Sequence, residues 1–104
     1  MSPRTLIIFC LFLLAHDGSA LGPHEVLVLA NGNSPRSLDL AKTYVSLRQI
    51  PAINLVELDL PANAFEMTPD SFTRQVITPA SATARKRGLS GHILAWAYSL
   101  DFPV

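Results

Sequence analysis

After its first twenty residues the chain alternates short apolar runs with stretches of three- and four-residue periodicity. Glu25-Val-Leu-Val-Leu-Ala30 is a continuous apolar run bounded by Pro23 and by Asn31-Gly32-Asn33, which predicts a buried parallel strand. Ser34-Pro35 follows, a hydroxyl able to cap free backbone N–H groups ahead of a proline suited to the first helical position. Leu38, Ala41, Tyr44, Val45 and Arg48 then recur at helical spacing and predict an amphipathic helix that ends before Ile50-Pro51. Ile53 to Leu60 carries a second strand pattern, closed by Pro61, and residues 61–68 read as a loop. Thr68-Pro69 repeats the cap-then-proline signal ahead of Phe72, Val76, Ile77, Ala80 and Ala84, a second helix in which Pro79 removes one backbone bond and predicts a kink or interruption. Arg85-Lys86-Arg87 before Gly88 fits a helix end with a left-handed cap, and Ile93 to Tyr98 is a third strand.

Strand, helix, strand, helix, strand is the order that builds a parallel sheet through right-handed crossovers. The expected fold class is α/β, the β-α-β-α-β start of a parallel, three-layer sheet domain. Three strands with two helices are an unfinished layer, so the expectation is an amino-terminal part of a domain, truncated after the third strand, with an autonomous small domain as the alternative.

The first twenty residues follow different rules. Arg4 supplies a positive start, Leu6 to Ala15 is nearly unbroken apolar sequence, and Gly18-Ser19-Ala20 offers small side chains to a signal peptidase. The pattern predicts a signal peptide over 1–20, cleaved after Ala20, and a secreted or periplasmic product spanning 21–104. The apolar run is about half of the ~20 residues a membrane span needs, so no stable anchor is expected after cleavage. Cleavage takes Arg4, Asp17 and the only cysteine, Cys10, and leaves 84 residues with seven basic and seven acidic side chains. A neutral chain lacks the clustered cations that hold nucleic acid, and without cysteine the domain forms no disulfide and folds on its apolar core alone.

Val26-Leu-Val-Leu-Ala-Asn31, Asn33-Ser34-Pro35, Ser37, Ala41, Tyr44, Arg48, Ile50-Pro51, Asn54 and Leu58-Asp-Leu-Pro61 together carry a family pattern. Over residues 24–104 the chain resembles the opening of an uncharacterised family of secreted bacterial proteins, known by number only. The resemblance implies a leader peptide and, because members are several times longer, a fragment; it implies no activity. The family places a glycine before its late proline, whereas this chain reads Asp101-Phe102-Pro103.

In open parallel sheets, ligands bind beyond the carboxyl ends of the strands, at a switch point between neighbouring crossovers. Those ends present Asn31, Gly32, Asn33 and Ser34 after the first strand, Asp59 at the second, and Ser99 with Asp101 after the third. With a strand order of 2-1-3 they would line one polar crevice suited to a sugar or another polar small molecule; the competing account, a tight turn and helix cap that these residue types serve well, is the stronger one for residues 31–34 taken alone. The loop has neither common phosphate-binding spacing, although any helix start attracts anions. His24 and His92 both precede strands, on the opposite edge of the sheet, and make neither a catalytic dyad nor a metal site with their neighbours. Trp96, Tyr98 and Phe102 share a face at even spacing and read as core, and Arg85 to Arg87 read as a solvated helix end. The function expected is binding of a polar small molecule or partner at the carboxyl edge. The alternatives are the amino-terminal part of a secreted hydrolase whose catalytic residues lie beyond Val104, and a structural module of an envelope or surface protein. The sequence names no cofactor and sets no oligomeric state.

Overall fold

The continuous apolar run at Val26 to Ala30 becomes the centre of the sheet. A computed structural model describes residues 21–62 and 66–103; the signal peptide expected over residues 1–20 lies outside the described residues. Strand β1 (Val26–Asn31) is buried along its whole length, and it pairs in parallel with β2 (Leu55–Leu58) on one side and β3 (Ala95–Tyr98) on the other. The order is therefore β2-β1-β3. Alternate residues of β1 serve opposite layers. Val26, Val28 and Ala30 pack with Ala41 and Ile50 beneath helix α1 (Pro35–Leu47). Leu27 and Leu29 pack with Val56, Leu58, Val76, Ala80 and Ala84 beneath the second helical region. A strand buried on both faces has no polar alternate position, which is why its sequence reads as an unbroken apolar run.

Local signals place the helices. Ser34 caps α1 by accepting the Ser37 N–H, with Pro35 in the first position. The helix ends with Gln49 at φ 56°, while the Ile50 N–H donates to the Val45 carbonyl and the Gln49 N–H to that of Ser46. This pair of bonds closes a helix through a left-handed residue. The second helical region starts at Thr68, whose hydroxyl accepts the Ser71 N–H. It runs as α2 (Pro69–Phe72), a π-helical segment (Thr73–Ile77) and α3 (Thr78–Lys86). Pro79 thus interrupts the regular pattern as expected, and it does so by widening the preceding turn: the Thr78 N–H donates to the Thr73 carbonyl, five residues back. Gly88, at φ 76°, ends α3 with the bonds seen at the end of α1, Leu89 N–H to Ala84 carbonyl and Gly88 N–H to Arg85 carbonyl.

Two strands are shorter than their apolar patterns. Ala52–Asn54 forms a 3-10 turn ahead of β2, and the Asn54 side chain, buried, donates from Nδ2 to the carbonyls of His24 and Val26 at 3.1 and 3.0 Å. That buried amide ties the entrance of β2 to the entrance of β1, so ladder pairing begins only at Leu55. At the other end Asp59 and Leu60 leave the ladder, Leu60 still buried in the core. Before β3, Leu89 to Leu94 form a turn whose last N–H donates to the Glu25 carbonyl.

Gln49 holds a left-handed conformation with a Cβ, which disfavours that conformation by about 1 kcal/mol relative to glycine. Gln49→Gly is expected to raise unfolding stability by ~0.5 kcal/mol after the larger unfolded-state entropy of glycine is counted, measured as a higher urea midpoint at unchanged slope.

Candidate functional site

The parallel ladder delivers the carboxyl ends of all three strands to one edge, and the loops leaving them meet around a single side chain. Asn31, the last residue of β1, is fully buried. Its Nδ2 donates to the carbonyls of Pro61 and Asp101 at 2.7 and 3.1 Å, and its Oδ1 accepts the Asn33 N–H at 3.0 Å. Its own backbone N–H donates to Ser37 Oγ at 2.9 Å. One amide therefore joins the loop after β1 to those after β2 and β3.

Gly32 belongs to this closure. Its N–H donates to the Leu58 carbonyl at 2.7 Å, and a Cβ there would stand 3.1 Å from that same oxygen. Close backbone approach, not an unusual φ, is what favours glycine here. Asn33, exposed, spans to the β2 loop by donating from Nδ2 to Asp59 Oδ1 and to the Leu60 carbonyl, both at 2.7 Å.

Asp101 stands at the start of α1. It adopts φ 58°, and its side chain is only 4% exposed. Oδ2 accepts the Ser34 hydroxyl at 2.5 Å and Arg36 Nε at 3.0 Å, and Oδ1 accepts Arg36 Nη2 at 2.9 Å. The two-pronged Arg36 contact and the Ser34 hydroxyl hold the Asp101 carboxyl down to about 2, against the partial opposition of burial. The same contact raises the Arg36 guanidinium. The helix start that the sequence offers to an anion is thus already faced by the chain's own carboxylate. Ser99 completes the edge, its hydroxyl donating to the Ser37 carbonyl at 2.6 Å and its N–H to the Leu29 carbonyl at 2.9 Å.

All seven residues named from the sequence lie at this edge, in two environments. Asn31, Ser34 and Asp101 are buried and bonded to one another's loops, whereas Asn33 and Asp59 are exposed. Two participants were missed. Arg36 and Ser37 sit in the first turn of α1; Ser37 stood only within the family pattern and not among the site residues, and the one signal of Arg36 was its spacing from the Ser34 cap. The Arg36 side chain remains 67% exposed beyond its contact with Asp101.

At the opposite edge His24 and His92 lie with ring centroids 6.0 Å apart, both exposed. Among the described residues no cluster of three or more His, Cys, Asp or Glu side chains could hold a metal ion, and no helix is long and apolar enough to cross a membrane. Tyr98 is half exposed but packs against Phe102 and Phe72, with centroids at 5.3 and 6.5 Å, while Phe102 is buried in the core. No family model, curated protein or solved structure matches the chain.

Two expectations follow for the junction. Because the Asp101 pKa in the folded chain lies below its ordinary 3.8, the contact contributes fully above about pH 4, and the contribution is lost as pH falls toward 2. In Asp101→Asn the fall in melting temperature between pH 4 and 2 should be shallower than in the wild type; equal slopes would remove this carboxylate from the acid response. Asn31→Asp places carboxylate oxygens against two carbonyls and should destabilise the fold by ~3 kcal/mol or more at neutral pH, read from urea unfolding.

Proposed function

We propose that this is an exported α/β protein that binds a neutral polyhydroxy molecule, such as a sugar, at the carboxyl edge of its sheet. The observation that carries this reading is the division of the edge into a buried support and a solvent-facing rim. Asn31, Ser34, Ser37 and Asp101 use their polar groups on one another and on the loops. At the rim, both amide hydrogens of Asn33 are engaged by Asp59 and the Leu60 carbonyl, and both residues are exposed, which leaves their remaining side-chain oxygens as acceptors for a ligand. The exposed part of Arg36 adds donors. Clustered acceptors held by a rigid frame suit the hydroxyl donors of a sugar, and a carboxylate rim disfavours an anion. Export is supported by the Arg4 start, the apolar Leu6 to Ala15 run and the small residues before Leu21.

The hydrolase alternative draws no support from this edge, since neither histidine of the described residues lies there. The structural-module alternative draws support from one observation, the complete internal pairing of the Asn31 amide.

Titration of the labelled protein with methyl glycosides and, separately, with acetate distinguishes the readings. Glycosides are expected to move the amide resonances of Asn33, Asp59 and Arg36, acetate is not, and Asn33→Ala should abolish the response while leaving the melting temperature within a few degrees. Absence of any saturable shift would favour the structural module. Mass spectrometry of the exported product should find Leu21 as its first residue; a product retaining Met1 would overturn the export reading.

A further inference from the structure

Two adjacent positions at the carboxyl edge are fixed by separate tertiary demands. Position 31 needs a buried side chain that donates to the Pro61 and Asp101 carbonyls and accepts the Asn33 N–H, which asparagine supplies. Position 32 needs no side chain at all, because its N–H closes on the Leu58 carbonyl at 2.7 Å and a Cβ would stand 3.1 Å from that oxygen. Together the two demands write an Asn-Gly bond into the chain. Of the asparagines Asn31, Asn33, Asn54 and Asn63, only Asn31 precedes a glycine.

Asparagine is a thermolabile residue, and a following glycine leaves it most open to attack, since no Cβ shields the next backbone nitrogen and the backbone turns freely. That nitrogen, once deprotonated, attacks the side-chain Cγ. The bond from the Gly32 nitrogen to Asn31 Cγ forms, the Cγ–Nδ2 bond breaks, and ammonia leaves with the proton that the Gly32 nitrogen gave up. Water then opens the cyclic imide at either carbonyl, to aspartate or to isoaspartate. The net change is amide plus water to carboxylate plus ammonium. In the folded chain each reacting group is held: the Gly32 N–H by the Leu58 carbonyl, Asn31 Nδ2 by two carbonyls and Asn31 Oδ1 by the Asn33 N–H. Asn31 is also 0% exposed, which keeps water from the imide.

We propose that Asn31 is a modification site gated by folding: it keeps its amide while the carboxyl edge is closed and converts to aspartate or isoaspartate when the edge opens or the chain unfolds. Conversion is one-way. A carboxylate lacks the donors that the Pro61 and Asp101 carbonyls need, and isoaspartate also adds a carbon to the backbone, so the converted chain no longer closes its edge. Time spent open is thereby recorded covalently, and unfolding passes from reversible to irreversible. The proposal is independent of the ligand reading, since none of the reacting atoms belongs to the Asn33 and Asp59 rim.

Incubation of the purified chain at mildly alkaline pH, folded in buffer and unfolded in urea, tests it, with peptide mapping by mass spectrometry at each asparagine. In urea Asn31 is expected to convert ahead of Asn33, Asn54 and Asn63. In the folded chain it should convert ~100-fold or more slowly, because a group that reacts only from an open state reacts in proportion to the population of that state. Gly32→Ala, compared in urea where its effect on folding is immaterial, should slow conversion at Asn31 ~10-fold and leave Asn54 and Asn63 unchanged. On removal of urea the aspartate and isoaspartate forms should collect in the fraction that fails to refold, and the unconverted form in the folded fraction. Equal rates at Asn31 in the folded and unfolded chain overturn the proposal. Conversion of another asparagine ahead of Asn31 in urea overturns it as well, as does refolding of converted chains to the same extent as unconverted ones.

Discussion

Everything at the carboxyl edge depends on the burial of one amide, that of Asn31. A parallel sheet brings all its strand ends to the same side, and the loops leaving them carry backbone carbonyls that must find donors once they are packed together. Asn31 supplies two donors and one acceptor from a single fully buried position, and reaches the loops after all three strands. Only a side chain with both donors and an acceptor satisfies those partners; a carboxylate lacks the donors and an aliphatic residue lacks both.

From that constraint the rest of the edge follows. With the Asp101 carbonyl held by Asn31 and the residue turned to φ 58°, its carboxylate reaches the first turn of α1, where Ser34 and Arg36 meet it. The charge is compensated by a guanidinium and a hydroxyl and lies in the favourable field of a helix start, which is why a nearly buried carboxylate stays ionised. Polar residues in a crevice are thereby sorted by partner: those bonded inward form a frame, and Asn33, Asp59 and the outer part of Arg36 form its rim. A second buried amide, Asn54, performs the matching task at the amino edge by tying the chain before β2 to the carbonyls of His24 and Val26. The central strand is clamped at both ends by asparagines, and its apolar middle needs only to fill two layers.

The same accounting separates the lateral edges. The guanidinium of Arg87 occupies the outer carbonyls of β2, so a basic run that looks like a solvated helix end acts in part as an edge cover. Among the described residues no side chain covers the outer groups of β3 in the same way.

The alternation of strands and helices, the capping of α1 by Ser34 and of α2 by Thr68, the left-handed Gly88 and the disruption at Pro79 were all legible in the sequence, because each depends on residues within a few positions of one another. The convergence of Asn31, Asn33, Ser34, Asp59, Ser99 and Asp101 on one edge was legible too, once a 2-1-3 order is assumed, since parallel strands must end together. What the sequence could not decide was which of them face inward. Asn31 and Asp101 are seventy residues apart, and their bond, the reach of Arg36 to Asp101 and that of Arg87 to β2 exist only after the crossovers have set the loops side by side. Local chemistry determined the elements and their ends; the division between frame and rim was decided by tertiary packing, because a polar side chain takes its role from the partners that burial leaves it.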